Sequence, residues 1–253
     1  MSKPTGGWAR YIRRAAQRVR HSPLHPQWVS FRFKEMAARE VAARARGSVV
    51  DIGCADSALH ERLDASVGYI GLDYPGTATA LYRTRPDVFG DAQQLPFQDA
   101  SFDCLVVLDV LEHLPRPQAS LIEAARVLRP GGKVLLHVPF AYPLHDRPYD
   151  FWRMTGHGLE ALARGAALEV ETIVARGHAI ESAGMLCNLA LAQALFTAGE
   201  RFRPFLLLGL LLAPLVTAIN IGCWLLSRIA PAVDFLPVSY WAVLKRPVPP
   251  QEG

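Results

Sequence analysis

Val49-Val-Asp-Ile-Gly-Cys-Ala-Asp-Ser57 reads as a short apolar strand, a tight turn at Gly53 and the start of a helix. Where such a strand lies in an open parallel sheet, ligands bind beyond its carboxyl end. A glycine in that first turn lets a ligand come close to the backbone. One such unit is common, so the weight falls on the next strand. Tyr69-Ile-Gly-Leu-Asp73 ends on an acid about 20 residues after the glycine, the spacing at which a carboxylate can accept hydrogen bonds from two ribose hydroxyls. An Asp at a strand end is also a common turn or helix cap.

Outward from these two strands the pattern keeps alternating. Residues 87–91 form a third expected strand, and residues 104–109 are a continuous apolar run, as in a strand covered on both faces. Residues 118–128 repeat apolar positions at helical spacing and stop at Arg129-Pro-Gly-Gly132, where the two glycines serve a turn. Residues 133–140 are the next strand, 155–164 a helix with Gly165 after it, and 168–175 and 239–245 two further strands. Strands separated by helices predict an α/β fold. It is a doubly wound, Rossmann-like, mostly parallel seven-stranded sheet with a hydrophobic helical insertion before the last strand. The expected division is a basic helical segment at 1–46, a core at 47–177, the insertion at 178–238, and the last strand and tail at 239–253.

The 253 residues are 51% hydrophobic and 20% charged, enough apolar material for a packed core and against disorder. The net charge is only +4, yet ten arginines and lysines fall between Arg10 and Arg46. That basic segment suits anionic lipid headgroups or nucleic acid, or simply a solvated helix face. Between its arginines Trp8, Ile12, Ala15 and Val19 recur at helical spacing, the pattern of a short amphipathic helix on a membrane surface or of one docked on its own domain. Cys54, Cys104, Cys187 and Cys223 lie far apart without a CxxC pair. Neither a zinc site nor a disulfide framework is expected, and a reducing, cytoplasmic location fits. The basic N-terminus lacks the apolar run of a signal peptide.

The insertion stands apart. Residues 182–199 and 204–227 carry no charge and are separated by Glu200-Arg-Phe-Arg203. The longer run exceeds the ~20 residues a bilayer needs; Pro214 interrupts it, and Asn188, Gln193 and Thr197 make the shorter one less apolar. Because the strands before and after belong to one sheet, the chain must leave and return on one side. A full hairpin would carry Arg201 and Arg203 across the bilayer. The expectation is therefore peripheral or monotopic attachment at the inner face of the membrane. The competing expectation is a lid or a subunit interface.

Residues 90–114, running from Gly90-Asp-Ala-Gln-Gln-Leu-Pro-Phe through Asp109-Val-Leu-Glu-His-Leu114, are the most specific block. With residues 49–54, 69–73 and 125–135, the chain resembles the class I S-adenosylmethionine-dependent methyltransferases, type 11 subgroup, over residues 47–177 and the last strand. The resemblance implies S-adenosyl-L-methionine as cofactor. It places Asp51, Gly53 and Cys54 around the loop beneath the methionine part, and Asp73 at the ribose. Asp91 and Ala92 fall at the adenine, with Leu108 and Asp109 on the opposite side. Glu112 and His113 follow at the strand's carboxyl end, toward the acceptor. One departure is the loop itself, which keeps only Gly53 where the family has two or three glycines.

His137-Val-Pro-Phe-Ala-Tyr-Pro-Leu-His-Asp-Arg-Pro-Tyr-Asp-Phe-Trp-Arg-Met-Thr155 follows a strand end, where loops carry function. His113, His145 and Asp146 are candidate bases or acceptor ligands, with Tyr149, Trp152 and Arg153 shaping a pocket; alternatively Asp150 and Arg153 pair and the aromatics pack the loop. Methyl displacement needs alignment and exclusion of water, and a base only for a weak nucleophile. It requires no metal, and no metal-ligand spacing is visible in the sequence. The partners expected are a small-molecule or lipid-linked acceptor and a membrane surface. Two alternatives remain, a non-catalytic membrane-surface binding protein of the same fold and an RNA methyltransferase, although no RNA-binding module accompanies the basic segment. A nicotinamide-dependent reductase would carry GxGxxG, which is absent.

Overall fold

Seven strands make one sheet in the order β3-β2-β1-β4-β5-β7-β6: β1 (Ser48–Ile52), β2 (Gly68–Asp73), β3 (Val88–Phe89), β4 (Phe102–Leu108), β5 (Leu128–Pro139), β6 (Glu169–Arg176) and β7 (Ser239–Lys245). The structure is a computed structural model that describes residues 17–55, 58–202 and 208–250. The amphipathic segment expected from Trp8 onward lies largely outside the described residues. The first five strands pair in parallel, and β7 runs antiparallel to both β5 and β6.

Period-2 alternation sends neighbouring residues of one strand to opposite faces. Val50, Leu105, Val107, Leu136 and Ala242 join one buried cluster, while Val49, Cys104, Val106, Leu135 and Val243 join another. Helices α2 (Pro117–Val127) and α3 (Gly156–Gly165) cover the first face with Leu121, Ala124, Leu159 and Ala163. Ala37, Val41 and Ala45, in and just after α1 (Trp28–Arg44), cover the second. The central strands are therefore apolar on both sides, which is why they read as unbroken runs; each fully buried aliphatic side chain contributes about 1.5–3 kcal/mol. The turn expected at 129–132 is drawn into β5, which pairs with Phe102 and then shifts register before Cys104. Thr155 caps α3, its hydroxyl accepting from the Gly158 N–H at 3.0 Å.

The chain divides into two compact units. One holds residues 35–140, 144–176 and 239–253, which include the whole sheet. The other holds 141–143, 177–238 and the described part of 1–34. In this second unit α4 (Ala179–Arg201) and α5 (Gly209–Ile229) are long and apolar enough to cross a membrane by length and composition. α4 begins before its uncharged stretch because His178 and Glu181 form a capping box, and Glu181 is buried against Arg32 at 2.9 Å. Asn188 donates to Asn220 at 3.0 Å, and Asn220 donates to the carbonyls of Pro23 and His25. A buried amide pair of this kind fixes the register of two otherwise apolar helices.

Candidate functional site

A cavity of about 370 Å³ opens in the sheet-bearing unit, lined by the ends of β1, β2 and β4 and the loops that follow them. That volume lies in the range of small-molecule and cofactor sites. The position follows from topology: β1 pairs with β2 on one side and β4 on the other, so their loops diverge and leave a crevice.

The glycine turn forms the near wall. Gly53 has φ +74°, and a Cβ there would run into Val110. Its N–H donates to the Leu72 carbonyl at 2.7 Å, stitching the turn to β2. Ala55 and Asp109 also line the cavity with positive φ, +46° and +55°. Strained backbone held by its surroundings is a mark of built sites. For Asp109 the holding is visible: its N–H donates to the His137 carbonyl, and its carboxylate lies 2.9 Å from His137 Nδ1.

Asp73 lies buried at the cavity wall. One carboxylate oxygen accepts from the Ala55 N–H at 3.1 Å, the other from the Tyr74 N–H at 2.7 Å and the Thr77 hydroxyl at 3.1 Å. It therefore ties two loops together besides facing the crevice. Asp91, Ala92, Gln93 and Leu108 complete this half, with Asp91 accepting from the Gln93 N–H at 2.8 Å. Asp51 and Cys54 do not line the cavity. Asp51 shares its strand face with Val49 and accepts from the Tyr69 hydroxyl at 2.9 Å, while the Cys54 thiol packs against Gly71 on β2. Burial, with the Asp73 charge adding to it against the Tyr69 hydrogen bond, pushes the Asp51 carboxyl up to about 7.

The other end of the cavity is built by the turn after β4 and residues 144–153. His113, Asp146 and Tyr149 line it. The Phe151 and Trp152 N–H groups both donate to the Glu112 carbonyl, and the Trp152 indole donates to the Leu114 carbonyl at 2.9 Å. His145 stands edge-on to His113 with ring centroids 4.7 Å apart. Glu112, with 1% of its side chain exposed, lies beneath both rings. Asp150 grips Arg153 in a two-point pair at 2.7 and 2.8 Å, the pairing weighed from sequence. Burial opposes ionisation of Asp150, but Arg153 and the His145 N–H win and hold it at about 2. Tyr82, which sequence reading did not single out, lines the cavity and donates to Asp146 at 3.0 Å. No local sequence signal marks it, because residues 82 and 146 meet only through the fold.

Residues 50–136 match the methyltransferase domain family. A Mycolicibacterium smegmatis protein named "Probable S-adenosylmethionine-dependent methyltransferase" is 36% identical over 160 residues, covering 58% of this chain and 62% of that protein. A demethylmenaquinone methyltransferase of Renibacterium salmoninarum is 32% identical over 117 residues, covering 44% of this chain and 49% of its own. The chain thus spans about half to three-fifths of the length of these relatives. The solved [4+2]-cyclase SpnF has a TM-score of 0.56 at 17% identity, over 86% of this chain and 81% of that one, a likeness of fold alone. The domain match over residues 50–136 and the strand order give the sheet-bearing unit the methyltransferase domain of the class I, S-adenosylmethionine-dependent fold. The cofactor this family implies is S-adenosyl-L-methionine, and the crevice suits it: a turn where a side chain would not fit, a buried acid on one loop and an apolar far wall.

Proposed function

We propose that the protein transfers a methyl group from S-adenosyl-L-methionine to an amphiphilic or lipid-linked acceptor at a membrane surface. The observation that carries the transferase part is the single cavity joining the Gly53–Asp73–Asp91 half to the His113–Asp146–Tyr149 half. The cofactor supplies an electrophilic methyl on a positively charged sulfur. In this reading Asp73 holds the ribose, Asp91 and Ala92 meet the adenine, and Gly53 and Leu108 close on the remainder. His113 and Asp146 face the acceptor, and His145 supports His113 from behind. Their work is to align the acceptor and shed water, with the Asp146 carboxylate placed to hold its departing proton. Asp146 keeps an αL backbone, φ +44°, and the Tyr82 contact, so its carboxylate is aimed rather than free to swing.

Two observations support the membrane part. In the helical unit, Leu225, Leu226 and Ile229 of α5 are 54%, 51% and 81% exposed. A relative acting on a menaquinone precursor by name fits an apolar acceptor.

The test incubates pure protein with methyl-labelled cofactor and fractionated cell extract. Label in the lipid fraction is the expected result; label in RNA or in aqueous glycans overturns the acceptor class. Asp73→Ala leaves ribose hydroxyls poorly paired, a loss of about 1.5–3 kcal/mol, so cofactor affinity by calorimetry falls at least tenfold in a variant with unchanged circular dichroism. Unchanged affinity would remove Asp73 from the site.

A further inference from the structure

We propose that Glu112, His113 and His145 form a binding site for one divalent transition-metal ion, of the zinc, manganese or iron(II) kind, at the acceptor end of the cavity. The proposal rests on the reading of that end as the acceptor side.

One ligand atom from each of the three lies within 4.8 Å of the others. Glu112 Oε1 is 3.7 Å from His113 Nε2 and 4.0 Å from His145 Nε2. Ligands held about 2.1 Å from a common ion stand at most about 4.2 Å apart, so two of the three separations already fit and the third closes by a small rotation of one ring.

Both imidazoles are oriented for this. His113 Nδ1 sits 2.8 Å from the Tyr149 carbonyl. A carbonyl only accepts, so Nδ1 carries the proton and Nε2 presents its lone pair toward Glu112. His145 Nδ1 sits 3.2 Å from Asp150 Oδ2. The Arg153 guanidinium lies 3.5 Å from the same nitrogen; the two contacts hold the ring with Nε2 facing Glu112, and an ion on Nε2 would place the proton on Nδ1, toward Asp150. Metal-bound histidines show this arrangement, donating the other ring N–H to a carboxylate or carbonyl.

Two imidazoles and one carboxylate suit zinc, manganese or iron(II) better than magnesium or calcium, which prefer oxygen. Three protein ligands leave coordination positions open. His113 lines the cavity and so would turn those positions toward it, where an acceptor presenting a hydroxyl or enol oxygen fits. The site escaped sequence reading because His145 is 32 residues from His113 and no fixed spacing signals the pair.

The experiment strips the full-length protein of metal and titrates it with Co2+, Zn2+ and Mn2+ by calorimetry, following Co2+ also by its visible absorption. One equivalent per chain is expected, with a Co2+ spectrum of nitrogen and oxygen ligation. Glu112→Gln and His145→Ala should each weaken affinity at least tenfold. Asp150→Asn should weaken it by about 10–100-fold, and Asp146→Asn should leave it unchanged. Absence of binding to the wild-type protein, or equal binding by the ligand variants, overturns the site. The wild-type titration decides even if a variant fails to fold. Cofactor binding measured on the same samples separates the two readings: a protein that binds the ion but not the cofactor keeps this site and loses the transferase assignment.

Discussion

Trp241, Ala242, Val243 and Leu244 in β7 are at most 4% exposed, while Leu225, Leu226 and Ile229 in α5 are more than half exposed. The two segments are alike in apolar character and only ten residues apart at their nearest. In β7 these four side chains are covered because the strand lies between β5 and β6, with a helix layer on each face of the sheet. In α5 the buried side chains include Val216 and Asn220, leaving other faces apolar and open. Apolar sequence thus serves two ends in this chain: it closes the sheet-bearing unit, and in the helical unit it leaves a surface that water covers at a cost.

The sharpest way to break the comparison is to delete matching atoms on both sides. Leu105 in β4 is fully buried, so Leu105→Ala should cost about 2–5 kcal/mol in urea unfolding. A loss below ~1 kcal/mol would mean the sheet core is looser than its burial implies. Next comes the buried acid beneath the turn. Asp51 is raised to about 7 in the folded protein, whereas the unfolded chain titrates it near ~3.9. Between these values the folded state holds the extra proton. Stability therefore falls as pH rises through roughly 4 to 7 and is level above. Asp51→Asn removes that loss, so the variant should exceed the wild type by about 1–4 kcal/mol at pH 8, with the gap narrowing toward pH 4. A gap independent of pH would show that the carboxyl is not the titrating group. The smallest stability effect belongs to the open face: Leu225→Asp with Ile229→Asp should change unfolding free energy by no more than ~0.5 kcal/mol yet abolish sedimentation with anionic vesicles. Wild-type protein that stays off vesicles, or a loss of dimer rather than of vesicle binding, would assign that face to another subunit.

The sheet was legible because its strands are buried on both faces and leave a local signature, an apolar run closed by a turn. Gly53 and Asp73 were legible in the local pattern, and Asp91, Ala92, Leu108 and Asp109 through the family resemblance; all six line the crevice because each sits at or just past a strand end. Asp51 and Cys54 stand in the same stretch and still fall outside it. Alternation turns Asp51 to the face it shares with Val49, and Cys54 folds back onto Gly71. The start of α4 was hidden in a similar way. Glu181 looked like a boundary of the apolar run but lies inside the helix, its charge met by Arg32.

Local pattern by itself determined the order of strands and helices, the glycine turn with its distant acid, and the two apolar helical stretches, because period and turn chemistry act over a few residues. Only the tertiary structure decided which polar groups meet: Tyr82 with Asp146, Asp109 with His137, and Glu112 with two histidines on different loops. Those meetings depend on where separate loops converge once the strands have paired, and no property of a short segment encodes that convergence.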